Sequence, residues 1–119
     1  MHTMKIADCL DACQDCLVAC ERCLVEMVRE GGHQGEHGGG DCPECCRECA
    51  DICGLCVRAM ARESRYTAAF CKLCAEVCEW CASSCREHGA AHCIACAEAC
   101  ERCAAACTAV GRDEAASDA

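Results

Sequence analysis

Tyr66, Phe70 and Trp80 are the only aromatic residues among 119. Three rings neither build an aromatic core nor offer a stacking platform for single-stranded nucleic acid. Positive charge is also scarce: 11 Lys and Arg stand against 20 Asp and Glu, for a formal charge of −9. Such a surface repels phosphate backbones and anionic lipid, which excludes nucleic-acid binding. No apolar run reaches the roughly 18 residues that a membrane span needs, so neither a transmembrane helix nor a membrane partner is expected. The opening residues, Met1-His2-Thr3-Met4-Lys5, show no basic head leading into an apolar stretch and a small-residue cleavage site. A cytoplasmic location is therefore expected.

Cysteine is what the chain has in excess, 21 residues. In the reducing cytosol disulfides are rare, and an odd count closes a disulfide set poorly, so these residues read as thiols or thiolates. They fall into four groups. Cys9, Cys13, Cys16, Cys20 and Cys23 are separated by steps of four and three. Cys42, Cys46, Cys49, Cys53 and Cys56 repeat the same steps, with Cys45 added. Cys71, Cys74, Cys78, Cys81 and Cys85 begin with a step of three, and Cys93, Cys96, Cys100, Cys103 and Cys107 follow that phase. Alternating three- and four-residue steps trace the inward seam of a helix packed in a bundle. Only Cys45 leaves its stripe; it shares a heptad position with Ile52 and Ala59 and reads as either a peripheral ligand or a packing residue.

The pattern predicts helices near residues 3–30, 41–63, 65–88 and 90–110. Asp41-Cys42-Pro43-Glu44 reads as a helix start, Ser64 as a further N-cap, and Gly89 and Gly111 as C-terminal caps. Residues 31–40 hold six glycines and form the one flexible connector, whereas the other joins are short and favour antiparallel neighbours. The tail over 112–119 is expected to fray. Cys71–Cys81 aligns without gaps to Cys93–Cys103, one helix per repeat. The fold expected over 1–119 is a single all-α domain, an antiparallel four-helix bundle with a cysteine-lined core.

A Leu seam would pack such a bundle better, so the thiols need another reward, and a soft metal supplies it. Structural zinc wants isolated tetrahedra and iron–sulfur clusters want loop-gathered cysteines, whereas Cu(I) is selected by thiolates and can sit between two of them. With each thiolate bridging about two ions, capacity approaches one Cu(I) per cysteine, of order twenty. A general Zn/Cd thiolate buffer, an iron–sulfur or redox electron carrier and a bundle of inert thiols are the rivals. No acid–base pair or nucleophile stands apart from the thiols, so the chain does not read as an enzyme.

The four CxxxC/CxxC helices, for instance Cys9-x3-Cys13-x2-Cys16-x3-Cys20-x2-Cys23, resemble the bacterial copper storage proteins over residues 3 to about 110. The resemblance implies inward cysteines that bind many Cu(I) ions, assembly into a homotetramer, and a Cu(I)-ligand role for each seam cysteine. Donor and acceptor stay open, with a copper chaperone or a cuproenzyme acceptor as candidates.

Antiparallel packing gathers Met27, His33, His37, His88 and His92 at one end of the bundle. Thioether and imidazole hold Cu(I) more weakly than bridging thiolates, which suits capture at a mouth, and Met27, His88 and His92 are the candidates for it. As helix-end residues the two histidines read equally well as caps. Ile6, Met60, Phe70 and Val110 would plug the other end, near His2. On the outside, Tyr66, Leu73 and Trp80 on one helix and Val18 and Val25 on another suggest a subunit contact.

Overall fold

The computed structural model describes residues 4–30 and 42–118, with side chains over 5–30 and 42–112. Four helices follow in order: α1 (Met4–Arg29), α2 (Cys42–Ala61), α3 (Thr67–His88) and α4 (Ala91–Asp118). No strand occurs among the described residues. α1 and α3 each pack against both α2 and α4, so α1 faces α3, and α2 faces α4, across the diagonals. Neighbours run antiparallel: Cys9 meets Cys107 and Cys23 meets Cys93 between α1 and α4, and Cys42 meets Cys85 and Cys53 meets Cys74 between α2 and α3. None of the four helices is long and apolar enough to cross a membrane, among the described residues.

The helix ends show how local chemistry and packing divide control. Gly89 closes α3 as expected, with φ 81° and its N–H donating to the Cys85 carbonyl at 3.1 Å. α2 stops at Ala61, short of the expected 63, because the chain turns there in a Schellman motif. Ser64 N–H reaches Ala59 O at 2.9 Å, Glu63 N–H reaches Met60 O at 3.2 Å, and Glu63 itself takes the left-handed conformation at φ 53°. Ser64 is not the N-cap of α3. Its hydroxyl accepts the Tyr66 N–H at 3.0 Å in a local turn, and the helix begins at Thr67.

α4 departs most from expectation. Gly111 is not a terminal cap: it is buried inside a helix that continues to Asp118, through the tail expected to fray. A Cβ at Gly111 would lie 3.0 Å from Lys72 Cγ and 3.5 Å from Ala68 O. The missing side chain lets α4 lie close against α3, and that contact keeps the backbone helical. Asp41, the connector over 31–40 and His2 lie outside the described residues.

All 21 cysteines are fully buried. Small residues flank the seam, among them Ala50, Ala75, Ala82, Ala97 and Ala104, all buried, and they let the helices approach until thiols meet on the axis. Ile6, Met60 and Val110 are buried with Phe70 half-buried at one end, and Met27 is buried at the other. On the outer stripe Tyr66, Leu73, Val18 and Val25 are exposed, whereas Trp80 folds down against the core.

Candidate metal centre

The thiols stack in overlapping tetrads along the bundle axis. From the Met27 end these are Cys23, Cys42, Cys46 and Cys85; then Cys20, Cys46, Cys81 and Cys96; then Cys16, Cys20, Cys49 and Cys100. Cys16, Cys53, Cys78 and Cys103 follow, and then Cys13, Cys56, Cys74 and Cys107. Within each tetrad the four Sγ atoms lie within 4.8 Å of one another. Cys16, Cys20 and Cys46 each belong to two of the first four tetrads, and Cys103 on Cys13 at 3.6 Å and Cys53 on Cys74 at 3.8 Å join the fifth, so the groups form one continuous file. Cys9 adjoins Cys107 at 3.5 Å, and with Cys71 these two close the file at the plugged end.

Every cysteine is a free thiol. The closest Sγ pairs, Cys49 with Cys78 and Cys9 with Cys107, stand 3.5 Å apart, far beyond the roughly 2.05 Å of a disulfide. Helical geometry makes the file possible. Steps of four place thiols of one helix one above the other, as with Cys74 and Cys78 at 3.8 Å, and the neighbouring helix fills the gap, as with Cys49 on Cys78.

Crowding acts on protonation. Burial, reinforced by the charge of Cys42, raises the Cys93 thiol to about 12. Hydrogen bonding with Cys20 pushes Cys46 up, and hydrogen bonding with Cys103 does the same to Cys53 and Cys107. Hydrogen bonds from neighbouring thiols shift others down, Cys42 and Cys49 among them, so the raised thiols keep protons that a bound metal would displace.

Cys45 is as deeply buried as the seam cysteines. It turns sideways, and its S–H donates to the Cys42 carbonyl at 3.1 Å, a bond within its own helix. Cys42, Cys46, Cys81 and Cys85 surround it, so the residue flanks the uppermost tetrads from the α2–α3 side.

Imidazoles stand at the Met27 end of the file. His88, buried at the end of α3, sets Nδ1 3.1 Å from Cys93 Sγ. His92 sets Nδ1 3.4 Å from Cys23 and 3.5 Å from Cys93, and the two rings lie 6.3 Å apart. Met27 is buried one turn beyond Cys23. Met27, His88 and His92, the candidate entry residues, therefore sit at one end of the thiol file, two of them touching it; His33 and His37 lie outside the described residues. Glu30 was not singled out, yet its Oε1 is 2.9 Å from His92 Nε2. The signal was present, because the step of four from Cys23 to Met27 continues with a step of three to Glu30.

The chain is similar to solved structures of the same architecture. The Cu(I)-bound copper storage protein BsCsp3 shares 37% identity at a TM-score of 0.81, over 91% of this chain and 99% of that one. The apo form of copper storage protein 3 from Bacillus subtilis shares 38% at 0.78, over 88% and 97%. A protein of Nitrosospira multiformis shares 28% at 0.77, over 91% and 95%. No curated relative matches the chain significantly. The sequence profile of the copper storage proteins matches residues 2–112, and with a continuous file of buried free thiols the chain belongs to that family.

Proposed function

We propose that this chain stores Cu(I), holding many ions on the thiolates of its core, with the twenty seam cysteines as ligands and Cys45 as a ligand beside the uppermost tetrads. The observation that carries this is the sharing of Cys16, Cys20 and Cys46 between adjacent tetrads. Zinc in closed tetrahedra needs four thiolates of its own per ion and leaves a double negative charge buried at each site. Cu(I) accepts bridging thiolates, and one ion per displaced proton keeps the core near neutral. Similarity to the Cu(I)-bound BsCsp3 supports the same cargo.

Met27, His88 and His92 serve as the weaker mouth ligands through which copper passes. The protein works as a store rather than a catalyst, in the cytoplasm, as a homotetramer, exchanging copper with a chaperone or a cuproenzyme acceptor. Anaerobic titration of the reduced apoprotein tests the central reading: uptake of order twenty Cu(I) per chain is expected. Uptake of only a few ions, or displacement of Cu(I) by Zn(II), overturns it.

A further inference from the structure

Glu30 closes the last turn of α1, its N–H bonded to the Glu26 carbonyl at 2.9 Å, and its carboxylate reaches across to α4. An ionised carboxylate only accepts hydrogen bonds, so the His92 Nε2 it touches must be the protonated nitrogen. In the neutral imidazole Nδ1 is then left with its lone pair facing the Cys23 and Cys93 thiols at 3.4 and 3.5 Å. From this geometry we infer that Glu30 is a positioning residue for copper transfer, holding His92 in the tautomer and orientation that present Nδ1 to an incoming Cu(I) at the mouth.

The role rests on the storage reading above. The arrangement is that of a carboxylate behind a metal-binding imidazole, where the outer hydrogen bond fixes the ring and raises the basicity of the nitrogen that binds. Its placement adds a further element. His92 is only partly exposed, at 15% of its side chain, and Glu30 covers it from the solvent side at 34%. The ring is therefore held from two directions, by a carboxylate outside and thiols within.

The test uses the full reduced chain and two readouts. The nitrogen-15 shifts of the imidazoles, assigned with His92→Ala, report the tautomer without copper. In the wild type Nε2 is expected to carry the proton, and Glu30→Ala to mix the two tautomers. Stopped-flow transfer of Cu(I) from a coloured chelate is the second readout. Glu30→Ala is expected to slow it about tenfold, Glu30→Gln to restore much of the rate through its amide oxygen, and Glu30→Ala to add nothing once His92 is Ala. An unchanged tautomer in Glu30→Ala overturns the role, as does equal slowing in the His92→Ala background or a Gln variant as slow as Ala. Total copper per chain is read from the same traces. A wild type that takes up none overturns the storage reading and this role with it, whereas normal filling at an unchanged rate overturns Glu30 alone.

Discussion

The Cys23 thiol lies 3.4 Å from Nδ1 of His92, joining the last seam cysteine of α1 to the first turn of α4. This contact puts an imidazole nitrogen directly at the end of the thiol file, where the proposed entry ligand and the store would be continuous.

Replacing Met27, His88 and His92 together, with Leu, Asn and Asn, is expected to slow Cu(I) uptake and removal by a competing chelator by about tenfold while the final stoichiometry holds. Timed transfer under anaerobic conditions measures both. Unchanged kinetics would remove these residues from the path.

Cys16 bridges two neighbouring tetrads, one with Cys20 and one with Cys53. Cys16→Ala is expected to lower copper capacity by about two ions, because a shared thiolate serves two sites. Loss of one sulfur should cost the apoprotein only about 1 kcal/mol in folding, as for a single small group removed from a core. Metal analysis of the filled variant beside the wild type decides it.

Copper binds the folded file and not an extended chain with scattered thiols, so it should stabilise the fold strongly. Free Cu(I) at 1,000 times the Kd of even one site contributes about 4 kcal/mol. That corresponds to a rise of roughly 15 °C in Tm for a domain of this size. Thermal melts followed by circular dichroism, with and without copper, should show the gap; coincident melts would contradict a folded-state store.

Alkaline pH acts on the apoprotein in a direction that the buried thiols set. Cys93 is raised from 9.0 to about 12, so between those values the folded chain keeps a proton that the unfolded chain has released. The native state then binds more protons than the unfolded one, and stability falls as pH rises through this window. The urea midpoint of the reduced apoprotein should drop above pH 9, whereas the copper-loaded protein, whose thiol proton has already left, should lack that slope. A midpoint rising between pH 9 and 11 would falsify the assignment.

Two glycines should respond oppositely to alanine. Gly54 lies inside α2, where an added Cβ meets only Arg58 Nη1 at 3.6 Å, and Gly54→Ala should stabilise the chain by about 0.5–1 kcal/mol. Gly89 holds φ 81°, and Gly89→Ala should cost about 1–2 kcal/mol. Urea midpoints measured side by side give both signs.

The four helices, their inward stripes and the Gly89 cap were legible in the sequence because each depends on residues within one or two turns. A three–four repeat of cysteine marks the buried face whatever the partner helix turns out to be, and the same repeat named the metal's chemistry. Other features were decided between elements. Cys45 sits off its own stripe yet is buried, because α3 closes over that flank of α2. Gly111 stays helical because Lys72 and Ala68 stand beside it on α3, where a free chain would have ended. Glu30 matters only because His92 arrives opposite it from α4. Spacing along a chain determines which side chains share a face; what that face meets depends on the neighbouring helix, its distance and its direction, and these are set only when the four helices pack together.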